Sequence, residues 1–113
     1  MTLREYLAVG WRWWWALVFG ALPLMAQSAG DAAKGEKIYA EQKCSVCHRI
    51  GETGGKLGTE LTTVGDARDL AWLKEYLLDP KGVDPANKMP AVKVEGQDLD
   101  DLIAYLLALK AQR

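Results

Sequence analysis

The chain has 113 residues and a formal net charge of −1, with 14 lysines and arginines against 15 aspartates and glutamates. This length is enough for one small domain, and the nearly neutral charge gives no support for binding a nucleic acid. Two cysteines are too few to form the disulfide framework of a small secreted scaffold.

Residues 1–28 are predicted to be an export signal. Two arginines precede an uncharged apolar stretch over 13–26, and Ala26-Gln27-Ser28 places small residues where a signal peptidase would cut before Ala29. The stretch is shorter than the roughly 20 residues that a membrane helix needs. Four tryptophans lie in this segment, and tryptophan favours the membrane interface, so a retained anchor is the alternative. Either way, residues 29–113 form one exported domain, which we expect in the periplasm or at the outer face of the cytoplasmic membrane.

The first predicted helix runs from a cap at Asp31 to about Lys43. Ile38 and Tyr39 form its apolar face, and Gly35 lies one turn before Tyr39. Because glycine is a poor helix former, Gly35 indicates either the close approach of another helix or simple tolerance.

Both cysteines and the only histidine of the chain follow within five consecutive residues, Cys44-Ser45-Val46-Cys47-His48. This spacing is typical of covalent haem attachment, in which each cysteine forms a thioether to the porphyrin. The adjacent histidine would bind the iron on the proximal side. The alternatives explain less: a redox dithiol would accompany a strand–helix–strand pattern that the sequence lacks. A zinc site normally has further ligands, and a disulfide between Cys44 and Cys47 would leave His48 unexplained.

The segment 49–68 is rich in glycine and threonine and is predicted to be a loop that wraps the proximal side of the haem. One of its backbone carbonyls should accept the second ring hydrogen of His48, since such a contact orients an imidazole ligand. A second helix is predicted over about 69–78 and ends before Pro80. Its inward-facing side chains are Leu70, Leu73, Leu77 and Trp72.

Loss of the export signal would leave a single methionine, Met89, in the run Lys88-Met89-Pro90. The proline- and glycine-containing residues before it, 79–87, predict a loop and not a helix. We expect this loop to bring the Met89 sulfur to the open face of the haem as the second axial ligand. The alternatives are that Met89 fills a gap in the core, that Lys88 or Lys93 replaces it as ligand, or that the iron is five-coordinate.

The last predicted helix, about 97–111, has the clearest helical periodicity. Its apolar stripe consists of Leu99, Leu102, Ile103, Leu106 and Leu109. Acidic residues suit its first turn and Lys110 its last, and we expect Asp98, Asp100 and Asp101 to need no partner. No run of residues alternates as a strand does, which predicts an all-α domain.

Taken together, these residues make the domain resemble the class I, single-haem c-type cytochromes over nearly its whole length. The resemblance is carried by Gly35-x-x-x-Tyr39, Cys44-x-x-Cys47-His48, Gly58-x-x-Leu61, Met89-Pro90 and Ala104-Tyr105-Leu106. It implies a small cytochrome c-type fold, with three main helices wrapped around one covalently attached haem c. His48 and Met89 would then be its axial ligands.

The resemblance also implies how the first and last helices meet. They would cross at right angles, with Gly35 and Tyr39 against Leu102 and Tyr105. The family usually has a proline where this chain has Thr59, and the carbonyl at that position receives the hydrogen bond from the proximal histidine. Thr59 still offers a carbonyl, but from a loop that we expect to be less rigid.

Two bound axial ligands would leave the iron no free site, so its chemistry would be limited to gaining and losing one electron. The sequence therefore predicts a non-enzymatic electron carrier of a periplasmic or membrane-associated redox chain. Donor and acceptor proteins would dock at the haem edge, with the membrane involved only through a retained leader or a membrane complex. Basic residues near the haem-binding segments would steer an acidic partner, or are ordinary solvated charges: Lys43, Arg49, Lys56, Lys81, Lys88 and Lys93.

Two other functions remain open at this point. One is a haem-bearing subunit of a multi-subunit oxidoreductase, such as a thiosulfate-oxidising or dehydrogenase complex. The other is a haem enzyme or gas sensor, which would need an open or displaceable axial position on the iron.

Overall fold

The computed structural model describes residues 30–112, which are mainly helical. In chain order, the elements are α1 (Ala32–Glu41), a 3-10 turn (Cys44–Val46), β1 (Arg49–Ile50), β2 (Thr53–Gly54), α2 (Val64–Ala67), α3 (Leu70–Leu78), α4 (Pro80–Val83) and α5 (Gly96–Ala108). The predicted export signal and its cleavage site lie outside the described residues. Between residues 30 and 112, no helix is both long enough and apolar enough to cross a membrane.

The core is formed where α1 and α5 pack together, with α3 against them. The three longest helices supply all of its buried apolar and aromatic side chains, namely Ile38, Tyr39, Leu73, Leu77, Leu99, Leu102, Ile103 and Leu106. This confirms the predicted small all-α fold built on three main helices. The prediction for Leu70 was wrong: its side chain is 43% exposed, because it occupies the first position of α3 at the edge of the core.

The backbones of α1 and α5 meet at Gly35. A Cβ atom on this residue would lie 1.9 Å from the Asp101 carbonyl oxygen and 2.7 Å from the Tyr105 Cβ. The rings of Tyr39 and Tyr105 pack beside this point, with centroids 5.5 Å apart and planes inclined by 58°. Close helix approach is therefore the reason for the glycine, and the predicted contact between Tyr39 and Tyr105 is confirmed.

A buried carboxylate joins the same two helices. Asp101, only 2% exposed, accepts a 2.7 Å hydrogen bond from the Asp31 backbone N–H and a 2.9 Å bond from Gln97 Nε2. The Asp31 N–H is the main reason, and Gln97 the next, that the pKa of Asp101 lies below its usual value. Asp31 caps α1 as predicted, through its own side chain. These bonds of Asp101 within the chain were not predicted from the sequence; they form because this residue lies on the side of α5 that faces the start of α1.

The segment 49–68 is not a continuous loop. Its first part folds into the antiparallel pair of β1 and β2, whose two-residue strands are too short to show alternation in the sequence. Its last part forms α2, where Gly65 donates a 2.8 Å hydrogen bond from its N–H to the Leu109 carbonyl. A Cβ on Gly65 would lie 2.2 Å from the Leu107 carbonyl oxygen, so α2 packs directly on the end of α5.

The ends of two helices and the presence of one additional short helix also differ from the prediction. The helix α1 ends at Glu41, because Lys43 adopts a left-handed φ of 59°. The residues predicted as loop after α3 contain the one-turn helix α4, since proline suits a first helical position and Asp79 caps it through the Gly82 N–H. The helix α5 ends at Ala108, so Lys110 lies beyond its last turn.

Candidate functional site

The Cys44–His48 motif forms a tight turn directly after α1. The left-handed backbone at Lys43 turns the chain out of the helix. The Cys44 carbonyl then accepts hydrogen bonds from the N–H groups of Cys47 and His48, at 3.3 and 3.0 Å. Both thiols are free, with Cys47 exposed and Cys44 half-buried against the core. Burial raises the pKa of the Cys44 thiol. The turn therefore holds both sulfurs and the imidazole within one short segment.

The His48 ring is held by the loop opposite it. Its Nδ1 lies 2.7 Å from the Thr59 carbonyl oxygen, and because a carbonyl can only accept, Nδ1 must carry the hydrogen. In the neutral ring, Nε2 then has the free lone pair that a metal requires. The neighbouring Gly58 leaves room for the ring, since a Cβ there would lie 2.7 Å from Cε1. The expected carbonyl contact is thus present, from threonine and not from proline.

Backbone hydrogen bonds fasten this loop to the cysteine turn. The N–H groups of Gly55 and Gly58 donate to the carbonyls of Ser45 and Cys47, at 2.9 and 2.7 Å. A Cβ on Gly55 would lie 2.0 Å from the Val46 carbonyl oxygen, so the two segments are in direct backbone contact. The position of the Thr59 carbonyl is therefore set by hydrogen bonds on the loop and does not depend on a proline.

Met89 lies in the segment between α4 and α5 and is half-buried against the core. Its backbone N–H donates a 2.8 Å hydrogen bond to the side-chain oxygen of Asn87. Farther along, the Val92 N–H donates to the Leu77 carbonyl at 3.0 Å, which connects this segment to α3. The two alternative ligands, Lys88 and Lys93, are exposed. The role of Met89 as the second axial ligand stays a prediction.

A side-chain network beside Met89 was not predicted. The Asn87 amide nitrogen donates a hydrogen bond to the Tyr76 hydroxyl oxygen. The Tyr76 ring stacks on Trp72, with centroids 4.7 Å apart and planes inclined by 13°. The Arg68 guanidinium carbon lies 4.0 Å from the centre of the Trp72 ring. The spacing of Trp72 and Tyr76 by four residues was the available sequence signal, since such residues are neighbours on one helical face.

The Tyr39 hydroxyl is buried and has no hydrogen-bond partner among residues 30–112. Burial raises the pKa of Tyr39 to about 12, with smaller contributions from Cys44 and Tyr105. A neutral hydroxyl without a partner therefore lies at the Cys44 end of the core.

The donor chemistry of the cysteine turn fits a covalently attached haem. Two free thiols are available for thioether formation, and one imidazole nitrogen is available for iron, with glycine leaving room beside the ring. Within the described part of the chain, no three side chains of His, Cys, Asp or Glu converge to hold a bare metal ion.

Comparison with known proteins gives consistent results. Residues 32–110 match the family model described as cytochrome c. The cytochrome c2 of Rhodomicrobium vannielii is 33% identical over an alignment 119 positions long. The alignment covers 86% of this chain and 91% of that protein. Cytochrome c oxidase subunit 2 of Alkalihalophilus pseudofirmus is 32% identical over 70% of this chain, which spans 26% of the length of that protein.

A solved structure shares the fold. The crystal structure of SoxXA from P. pantotrophus superimposes with a TM-score of 0.64, covering 75% of this chain and 85% of the matched chain. At 24% sequence identity, this likeness concerns the fold.

Proposed function

The chain belongs to the cytochrome c family and is a one-electron carrier with a covalently attached haem c, and we propose that Cys44, Cys47, His48 and Met89 hold this group. The observation that carries the proposal is the hydrogen bond from His48 Nδ1 to the Thr59 carbonyl, at 2.7 Å. In the neutral ring, this bond favours the tautomer with the hydrogen on Nδ1, which leaves Nε2 free to bind iron.

Each of these residues has a defined task in the proposal. When bound, the haem supplies an iron that gains and loses one electron. Cys44 and Cys47 would tether it through their sulfurs, and His48 would bind the iron. Met89 would provide a further ligand, and a thioether ligand raises the reduction potential relative to stronger donors. If His48 and Met89 both bound the iron, no coordination site would be left for a substrate, so we propose no enzymatic activity.

The electron donor and acceptor of this carrier are redox proteins, and we propose that they dock at the haem edge. Of the basic residues near the haem-binding segments, Arg49 is paired with Glu60 at 3.2 Å. Lys43 and Lys56 are exposed and flank the cysteine turn and the loop that holds His48. Like the equally exposed Lys81, Lys88 and Lys93, these two lysines have no bonded carboxylate among residues 30–112, so all five would contribute to steering an acidic partner.

We propose a periplasmic location for the domain at 29–113, reached through the export signal at 1–28. The proposal rests on the sequence pattern of that leader, and retention of the leader as a membrane anchor is the alternative.

One observation favours a second candidate function. The chain matches a quarter of a longer protein, cytochrome c oxidase subunit 2. A segment of this kind can therefore be part of a larger assembly, and a haem-bearing subunit of a multi-subunit oxidoreductase is the alternative to a free carrier.

The substitution Met89→Leu tests the proposed ligand, because leucine keeps the apolar volume and removes the sulfur. The mature variant should retain covalent haem by intact mass. It should lose the far-red absorbance band expected for methionine–iron ligation and show a lower reduction potential. Lys88→Ala and Lys93→Ala are the controls and should leave the spectrum unchanged. An unchanged spectrum in Met89→Leu would refute the assignment of Met89, and a changed spectrum in a lysine variant would identify that lysine as the ligand.

The same mass measurement reports whether the chain is cut before Ala29.

A further inference from the structure

We infer that Asn87 is a positioning residue for the proposed ligand Met89: it fastens the Met89 backbone to Tyr76 on α3. The inference rests on the proposed function, because it concerns how firmly Met89 is held as a ligand. Its basis is a pair of hydrogen bonds from one side chain, one to the Met89 N–H and one to the Tyr76 hydroxyl.

The two bonds determine the orientation of the Asn87 amide. A backbone N–H can only donate, so the amide oxygen must face Met89, at 2.8 Å. The amide nitrogen then faces Tyr76, whose hydroxyl oxygen accepts. Each end of the half-buried amide thus has the complementary partner, and both bonds depend on the same rotamer.

Tyr76 is a suitable anchor because it is itself held in place. It stacks on Trp72 at 4.7 Å, and Arg68 covers the Trp72 ring at 4.0 Å. On the same helix, Leu73 and Leu77 directly follow Trp72 and Tyr76 in the chain and are buried in the core. The Asn87 bond therefore connects the Met89 segment to a fixed part of the fold.

A second connection lies on the other side of Met89, where the Val92 N–H donates to the Leu77 carbonyl. Pro90 lies between the two connections and has no N–H to donate. The ligand is thus fastened to α3 at both ends, with Asn87 as the fastening on its N-terminal side.

Loss of one such hydrogen bond costs about 0.5–1.5 kcal/mol, which corresponds to roughly a twofold to tenfold change in an equilibrium constant. Without the Asn87 side chain, the segment is freer to move and the sulfur leaves the iron more easily. A small exogenous ligand that competes with the sulfur should therefore bind more tightly.

The experiment is an imidazole titration of the oxidised holoprotein, followed by the loss of the far-red band. Asn87→Ala and Tyr76→Phe should each strengthen imidazole binding by roughly twofold to tenfold. The double variant should show no more than the larger single effect, because both substitutions remove the same connection. Asn87→Asp should restore the wild-type affinity, since a carboxylate can accept from both the Met89 N–H and the Tyr76 hydroxyl.

The matched control is Asp84→Ala. Its carboxylate accepts a 3.1 Å hydrogen bond from the Ala86 N–H in the same loop, yet it has no contact with Met89. This variant should bind imidazole as the wild type does.

Two results would overturn the positioning role of Asn87. One is an imidazole affinity in Asn87→Ala equal to that of the wild type, and the other is an equal increase in Asp84→Ala. If Met89 is not the ligand, the result is different: Met89→Leu would bind imidazole no more tightly than the wild type. The proposed role of Asn87 would then be refuted together with that of Met89.

Discussion

Replacing Gly35 with alanine should destabilise the holoprotein, although alanine is the better helix former. Helix propensity alone predicts a gain of about 1 kcal/mol from this change. The added Cβ would lie 1.9 Å from the Asp101 carbonyl oxygen, whereas ordinary contact begins at 3.4 Å. The obstacle is backbone and cannot rotate away, so α1 and α5 would have to separate by about 1.5 Å. Separation would loosen the Tyr39–Tyr105 packing and the hydrogen bond from the Asp31 N–H to Asp101.

The expected loss in the free energy of unfolding is the difference between two opposing contributions. Overpacking costs about 1–3 kcal/mol, and a clash with backbone belongs at the upper end of that range. After the gain in helix propensity of about 1 kcal/mol, we expect a net loss of about 2 kcal/mol. In a domain of this size, each kcal/mol lowers the Tm by about 4–8 °C, so the Tm should fall by about 10 °C.

Thermal and urea unfolding of the holoprotein, followed by far-UV circular dichroism, would measure this loss. Ala40→Gly, at an exposed position of the same helix, is the control for helix propensity. It should cost about 1 kcal/mol. If Gly35→Ala were as stable as the wild type or more so, the reasoning from close backbone approach would be refuted.

Three further substitutions test other parts of the molecule. Gly58→Ala should displace the His48 ring, because its Cβ would lie 2.7 Å from Cε1, and an absorption spectrum and haem yield equal to those of the wild type would contradict this. Asp101→Asn should weaken the loss of stability on acidification. The lowered pKa of Asp101 means that its stabilising effect is present above the ordinary value of 3.8 and is lost as the pH falls through the folded-state value. The urea midpoints at neutral pH and at about pH 3 should therefore differ less than in the wild type, while the exposed Asp98→Asn should keep the wild-type difference. Tyr39→Phe should leave the unfolding free energy unchanged or raise it by up to about 2 kcal/mol, since its hydroxyl lacks a partner among the described residues; a clear loss would show that the hydroxyl gains a partner in the holoprotein.

Local patterns in the sequence were enough for the main helices and for the cysteine turn. The apolar stripe of α5 identified four of its buried side chains, because burial on one face repeats with the helical period. The motif at Cys44–His48 is informative because its residues are adjacent in the chain, so no long-range geometry is needed to bring them together. Nothing local favours glycine inside a helix, so Gly35 indicated either a close helix contact or simple tolerance, and the structure shows the contact.

Features that depend on distant parts of the chain were missed. Asp101 looked like an ordinary acidic residue near a helix start, and its main partner is 70 positions away in the sequence. The bond between Asn87 and Tyr76 joins a loop to α3 and leaves no periodic pattern. The helix α2 is short, and its position depends on bonds to Leu109 and Ala111, which lie just beyond α5. In each case the two groups meet only in the folded chain, so local sequence propensity could not predict the interaction.

The core and the proposed ligands come from different parts of the chain. This separation explains how the chain tolerates threonine at position 59, where the family usually has proline. The side chains of the hydrophobic core among residues 30–112 come from α1, α3 and α5, whereas the proposed ligands lie in the connecting segments. His48 follows α1 through a single hydrogen-bonded turn, and the segment that contains Met89 is hydrogen-bonded to α3 on both sides, through Asn87 and Val92. The helices therefore determine where the proposed ligands lie, and the connecting segments need only supply particular backbone groups. Thr59 meets that requirement, because its backbone carbonyl is the group that lies within hydrogen-bond distance of His48 Nδ1.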